Sequence, residues 1–308
     1  MAHERALVTG GAGCIGSHIA DQLIRRRIKT YVIDDLSGGR RENLNPNATF
    51  YRMSVESPKV PALIEKLKPD IVFHCAAQID VRVSVKDPVK DARVNVLGGL
   101  RVLEGCVKAG TKKLVFSSSG GAIYHGQPVR PSHERLAVRP LSPYGVSKLA
   151  FELYLHSICQ ASGMSYVALR YANVYGPRQG ARGEAGVISV FARKMLAGEA
   201  PVIFGDGKQT RDFVCVDDVV RANILAMRPS VRGVFNVGTG KETSVNRLVA
   251  LIARSTGYRG DVGHGKGVVG EERRSCLDAT LAKKTFGWEP TVSLEEGIEK
   301  TVKWMAKK

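Results

Sequence analysis

Short apolar runs recur along the first half of the chain, and between them apolar positions return every three or four residues. RALVTG leads into IGSHIADQLIRRR and then KTYVIDD; DIVFHCAA, KKLVFSSS and MSYVALRY follow. Short apolar runs bounded by turn residues read as buried strands, and the 3.6-residue texture between them reads as helices. Strand alternating with helix predicts an α/β chain with a mostly parallel sheet covered on both faces. A later run, VFNVG at 234–238, is predicted to return to that sheet. Beyond Tyr175 the texture changes: GPRQGARGEAG is rich in glycine and arginine, ISVFARKMLAG has helical periodicity, FGDGKQTRD holds a turn, and TGYRGDVGHGKGVVG is again glycine-rich. The expected division is a sheet domain made mainly of residues 1–178, with 213–238 returning to it, and a smaller C-terminal substrate-binding cap made mainly of 179–212 and 239–308. A ligand would lie between the two.

Charge and cysteine content narrow the function classes. The 308 residues carry 46 Lys and Arg against 29 Asp and Glu, a net +17. The basic residues are scattered in short runs, at 25–27 and around Arg40 and Arg273, without zinc-finger spacing or an RNP-like pattern. Nucleic acid is therefore not an expected partner, and the charge suits an anionic metabolite. Cysteines 14, 75, 106, 159, 215 and 276 show no CxxC pairing, which gives no reason to expect a metal and fits a reducing compartment. The N-terminal MAHERALVTG runs straight into a strand, and no stretch approaches the roughly 20 apolar residues of a membrane span. The expectation is a cytoplasmic protein with no membrane insertion.

Two motifs carry chemistry. LVTGGAGCIGSH places Gly10, Gly13 and Gly16 between a predicted strand and a predicted helix. Glycines allow a sharp turn and close backbone approach, and the amides of the helix start can receive a pyrophosphate. Asp34 closes the next strand, where a carboxylate can accept hydrogen bonds from ribose hydroxyls. This predicts a Rossmann-type sheet binding NAD in preference to NADP, although Arg40 and Arg41 could fold back toward a 2′-phosphate. The second motif is PYGVSK at 143–148. Pro143 starts a predicted helix, so Tyr144 and Lys148 stand one turn apart on the same face. Such a pair is either a solvated helix face or a phenol with an ammonium beside it.

The ordered set TGGAGCIGSH, HCAAQ, SSSGGAIY, PYGVSK, RYANVYGPR, GDGKQTRDF and LDATLAKKTFGW covers nearly the whole chain. It resembles the extended short-chain dehydrogenase/reductase family, and within it the UDP-glucose 4-epimerase-like nucleotide-sugar 4-epimerases. The resemblance implies a cofactor site lined or supported by Gly10, Gly13, Gly16, Asp34, Asp35, Ala76, Asn95, Tyr144 and Lys148. Ser54 stands where the family often has an acid, which shifts the adenine contact toward backbone groups around Val55. Tyr144 would take a proton from the sugar C4 hydroxyl while hydride passes to NAD, and Lys148 would hold the nicotinamide ribose and favour the phenolate. Ser119 is implied as the residue holding the reacting oxygen, with Ser118 its rival.

The implied reaction inverts C4 through a transient 4-keto sugar with no net redox change. A dehydratase or decarboxylase, which also begins with C4 oxidation, is the alternative enzyme, and a noncatalytic NAD-binding protein is the remaining one. The dehydratase Asp-Glu pair is absent from SSSGGAIY. For the substrate, the resemblance places Asn173 and Arg211 at the diphosphate, and Val187, Phe191 and the VIFG segment beside the uracil. A surface ion pair between Arg211 and Asp212 is the structural alternative. Val268 replaces a second phosphate-contacting arginine, leaving Lys266 or Arg273 to compensate. Ser275, small where some relatives have tyrosine, leaves room for UDP-N-acetylhexosamines beside UDP-glucose and UDP-galactose. Arg178 and Arg182 keep UDP-glucuronate open. A homodimer is implied, formed by the helices that begin near Asn95 and Tyr144.

Overall fold

The computed structural model describes residues 4–180, 186–267 and 272–307; Arg182 and Val268 lie outside the described residues. Strands β1 (Arg5–Thr9), β2 (Lys29–Asp34), β3 (Thr49–Arg52), β4 (Ile71–His74), β5 (Lys113–Ser119) and β6 (Ser165–Tyr171) follow one another with helices between them. After them come β7 (Asn173–Tyr175), β8 (Val202–Phe204), β9 (Thr210–Cys215), β10 (Gly233–Val237), β11 (Glu242–Ser244) and β12 (Gly263–Gly265). Seven strands make one sheet in the order β10, β6, β5, β4, β1, β2, β3, every neighbouring pair parallel. The expected return of VFNVG is β10, which runs beside β6 with Phe235 opposite Leu169.

A parallel sheet buries both faces, which is why its strands read as unbroken apolar runs. On one face Ile19 and Leu23 of the helix Cys14–Arg25 pack with Val219 and Ala222 of the helix Val216–Ala226. On the other, Ile64 of Val60–Leu67, Leu103 of Gly99–Ala109, and Phe151 and Leu155 of Pro143–Ser162 form a second core. The last helix is framed by local chemistry: the Ser142 hydroxyl accepts from the Gly145 amide, Pro143 fills the first turn, and Gly163 leaves the helix at φ +74. Strand order reverses direction at β1, whose neighbours β2 and β4 are reached by crossovers on opposite sides. Crevices for ligands open at such switch points, beyond the carboxyl ends of the strands.

The smaller sheets stand beyond those ends. One has the order β11, β9, β7, and the other pairs β12 with β8. A third core joins Ile188, Phe191, Leu248, Ile252 and Ile298 behind them. Asp212 of β9 ties this region to the main sheet. It is 1% exposed. Its carboxylate accepts from the Thr239 amide at 2.9 Å, the Thr239 hydroxyl at 2.5 Å, the Gly240 amide at 3.1 Å and the Leu277 amide at 3.2 Å. Asp212 is thus not the surface partner of Arg211 that the sequence allowed: its acceptors are spent on the turn after β10 and on Leu277. An unpaired buried donor is expensive, so Asp212→Ala is expected to lower unfolding stability by about 3 kcal/mol in urea denaturation. Asp212→Asn, which keeps one acceptor oxygen, should lose less.

Candidate active site

The switch point is built around backbone that leaves no room for side chains. Gly10 has φ +69, and a Cβ there would lie 2.6 Å from the Ala76 nitrogen. A Cβ on Gly16 would lie 2.3 Å from the Gly10 oxygen, so the turn and the helix touch. Gly13 starts the helix Cys14–Arg25 with no side-chain cap among the described residues, leaving amide donors and the positive end of the helix for an anion. Asp34 is buried and braces the same turn: Oδ2 accepts from the Ala12 amide at 2.9 Å and Oδ1 from the Leu36 amide at 2.8 Å. Burial pushes its pKa up, against the pull of those two amides. A small cavity of about 80 Å³ is lined by Gly10, Gly13, Asp34, Asp35, Val55 and Ala76. Asp35 is exposed and accepts from the Ser37 amide at 2.8 Å. The Arg40 guanidinium pairs with Glu42 at 3.3 Å.

A second cavity, of about 340 Å³, shares Gly10 and Gly13 and continues to Ser117, Ser118, Ser119, Tyr144, Lys148 and Asn173. Here the expected pair is joined. Lys148 is 3% exposed and donates to the Ser117 carbonyl at 2.9 Å; its ammonium stands 4.8 Å from the Phe116 ring centroid and 5.7 Å from that of Tyr144. Desolvation lowers its pKa to about 8. The two serines differ. Ser118 donates its proton to Glu152 Oε1 at 2.5 Å, whereas Ser119 Oγ accepts from the Ala122 amide at 3.3 Å and caps the short helix Gly120–Ile123. Accepting leaves the Ser119 proton available to a ligand. Asn95 lines neither cavity. It sits in a π-helical turn, Arg93–Gly98, exchanges bonds with the Gln78 backbone at 2.8 and 2.9 Å, and donates to Ser147 Oγ at 3.2 Å. These bonds tie the loop after β4 to the Tyr144 helix.

Asn173 also lines a larger cleft of about 680 Å³, together with Val187, Phe191, Phe204 and Arg211. Asn173, Arg211, Val187 and Phe191, expected at the diphosphate and uracil, therefore share one cleft with Phe204 of the VIFG segment. Ser275 is buried near Asn173 and lines none of these three cavities: a Cβ placed on Gly121 would lie 3.8 Å from Asn173 Oδ1 and 4.0 Å from Ser275 Oγ. Arg178 pairs with Asp21 of the first helix at 2.8 Å, and Arg273 with Asp206 at 3.1 Å. Among the described residues no group of three or more His, Cys, Asp and Glu side chains could hold a metal, and no helix is long and apolar enough to cross a membrane.

The model of the NAD dependent epimerase/dehydratase family matches residues 6–238. The chain belongs to this family. Among solved structures, the UDP-glucose 4-epimerase of Thermotoga maritima, determined with UDP-glucose, is 48% identical, with a TM-score of 0.94 over 98% of this chain and 99% of that one. The UDP-glucose 4-epimerase of Thermus thermophilus, determined with NAD, is 42% identical, with a TM-score of 0.92 over 97% and 98%. The UDP-glucose 4-epimerase of Mycolicibacterium smegmatis is 43% identical over 99% of both chains.

NAD is the cofactor of this epimerase/dehydratase chain, and the local structure fits it: a Cβ-free turn, a helix start and an acid at the end of β2. Several site features escape a sequence reading. Phe116 under Lys148 is one residue of an apolar strand, and Cys75 lines both small cavities without any pattern to mark it. Lys148 has a titration the sequence does not disclose. A lysine with a lowered pKa is charged below that value and neutral above it, so the stabilisation it offers an anionic ligand or phenolate is lost as pH rises past about 8. NAD affinity measured from pH 6.5 to 9.5 is expected to weaken above that point, and Lys148→Arg, charged throughout, should move the fall to higher pH.

Proposed function

We infer that the protein is an NAD-dependent UDP-sugar 4-epimerase of the UDP-glucose/UDP-galactose type. The observation that carries this reading is the continuity of the site: the Tyr144 and Lys148 pair opens onto the glycine turn on one side and, through Asn173, onto the large cleft on the other. A sugar at the junction has its nucleotide in the cleft and its reacting carbon beside the phenol. Bound NAD supplies the acceptance of hydride from C4 and its return to the opposite face. The chain's own groups do the rest. Tyr144 takes and gives back the C4 hydroxyl proton, Ser119 holds that oxygen, and Lys148 keeps a positive charge next to the phenol. Asn173 and Arg211 hold the diphosphate, with Val187, Phe191 and Phe204 beside the base. Gly10, Gly13, Gly16, Asp34, Asp35, Val55 and Ala76 receive the dinucleotide, and Asn95 steadies the loop between the two ligands.

The small Ser275 favours acceptance of a bulky C2 substituent, so UDP-N-acetylhexosamines belong among the substrates to be offered. UDP-glucuronate is less favoured, because Arg178 already serves Asp21. Dehydration has no acid to use in the Ser118–Ile123 stretch, where the residues are SSGGAI. We assign residues 1–178 and 213–238 to the cofactor domain and 179–212 and 239–308 mainly to the cap; the placement of β10 in the main sheet supports this. Six free cysteines support a reducing, cytoplasmic setting.

We also propose a homodimer. Leu97, Val146, Leu153 and Tyr154 are exposed apolar residues on adjacent helices, Leu153 at 65%, and a second copy would cover them. Light scattering on Leu97→Asp/Leu153→Asp is expected to give monomer where the wild type gives dimer. For the reaction, each UDP-sugar is to be incubated with enzyme and resolved by mass and stereochemistry. A C4 epimer of unchanged mass is expected, with kcat at least about 100-fold lower in Tyr144→Phe. Loss of water or carbon dioxide would reassign the chain to dehydration or decarboxylation.

A further inference from the structure

Behind Tyr144 and Lys148, on the same helix, lies a buried carboxylate that the reaction as described does not use. Tyr144, Lys148 and Glu152 are spaced by four residues and form one row along Pro143–Ser162. Glu152 is 4% exposed and meets Arg170 of β6, 6% exposed, through three contacts: Nε to Oε1 at 3.0 Å, Nε to Oε2 at 3.2 Å and Nη2 to Oε2 at 2.6 Å. Arg170 Nη1 donates to the Tyr124 hydroxyl at 2.7 Å, which donates in turn to Asn236 Oδ1 on β10 at 3.1 Å. Glu152 Oε1 also accepts the Ser118 proton at 2.5 Å. Ser118 and Arg170 face each other in the β5 and β6 register.

Two successive residues at the end of β5 are therefore held by two successive turns of one helix. The Ser117 carbonyl takes the Lys148 ammonium, and the Ser118 hydroxyl gives to Glu152. One attachment would leave a pivot; two fix both the height of the helix over the strand and its rotation about its own axis. An ion pair buried in this way is a poor source of stability, since well-packed apolar residues of the same volume commonly do as well or better. What apolar residues cannot supply is a directional bond to Ser118.

We propose that Glu152 is a positioning residue: held in place by Arg170, it clamps Ser118 so that the neighbouring Ser119 and the Tyr144 phenol converge on one substrate hydroxyl. The clamp touches neither substrate nor cofactor. It rests on the epimerase reading for its consequence in turnover, though not for its effect on the helix.

The test uses NAD-loaded protein and three variants. Ser118→Ala removes the clamp and leaves the ion pair whole. Glu152→Met/Arg170→Met removes the pair without stranding a charge. Glu152→Gln keeps an oxygen that accepts from Ser118. Steady-state kinetics are measured well below each melting midpoint, together with NAD content and amide exchange of residues 144–149. The expected result is kcat lower by about 10- to 100-fold in Ser118→Ala and in the double variant, with KM and NAD content near wild type, and faster exchange at 144–149. Glu152→Gln, if it folds, should retain more activity than the double variant. Wild-type kcat in the folded Ser118→Ala and double variants would overturn the clamp. If wild type itself turns over no UDP-sugar, the epimerase reading fails, and the exchange data still decide: unchanged protection at 144–149 in both variants overturns the clamp, and lost protection supports it.

Discussion

The site depends on one close approach. At the point where strand order reverses, the turn after β1 must pass both the start of the helix it feeds and the end of β4, and there is no volume for side chains at either contact. A Cβ on Gly16 would sit 2.3 Å from the Gly10 oxygen, and one on Gly10 would sit 2.6 Å from the Ala76 nitrogen. Because the backbones meet, the helix start lines the crevice, where its amides can receive an anion. Because β4 and β5 are neighbours, the same crevice runs on to Ser117, Ser119 and the Tyr144 helix. The cofactor and substrate cavities are consecutive stretches of one gap beyond the sheet.

Charge is used differently at the two helices that border this gap. The helix Cys14–Arg25 offers backbone amides and its dipole. The helix Pro143–Ser162 offers side chains, and burial alters what they can do. Removed from water, the Lys148 ammonium is compensated only in part by the Ser117 carbonyl and the face of Phe116, so its proton is held less tightly than in an exposed lysine. Such a group gains most from an anion arriving beside it. A phenolate forming at Tyr144 supplies the missing partner, which couples the proton on Lys148 to the state of the phenol.

Much of this was legible in the sequence where the signal is local. β1, β4, β5, β6 and the return strand β10 appear as apolar runs because both faces of the sheet are covered, and the Pro143 helix carries its cap and its stop within its own segment. What escaped is set by contacts far along the chain. β12 has the sequence Gly-His-Gly and no side-chain pattern at all; only its pairing with β8 makes it a strand. The π-helical turn around Asn95 differs from an α-helix by one residue of register, too little to shift a hydrophobic period. The sequence left a surface pair of Asp212 with Arg211 open as an alternative, because the donors that bury Asp212 come from the turn after β10 and from Leu277. Ser119 and its rival Ser118 adjoin in a run of three serines. Glu152, 34 residues later, separates them by engaging one.

Asp34 shows why cofactor choice in this chain is bound up with fold. A carboxylate oxygen has two lone-pair directions, and each Asp34 oxygen spends one on a loop amide, at Ala12 and at Leu36. The remaining directions are available to ribose hydroxyls, while a phosphate in their place would meet negative charge. On the proposed reading of the site, the carboxylate is both the selector of the ribose and, through Ala12, a brace of the glycine turn. Replacing it by a small neutral residue to admit NADP removes the repulsion and also strands two amides at the turn, so relief of charge alone does not produce a site for the phosphorylated dinucleotide. A residue that accepts from Ala12 and Leu36 without charge, such as asparagine on one of the two, would separate these effects. The turn and the selectivity share an atom pair, so a change aimed at one reaches the other unless an uncharged acceptor is kept in its place.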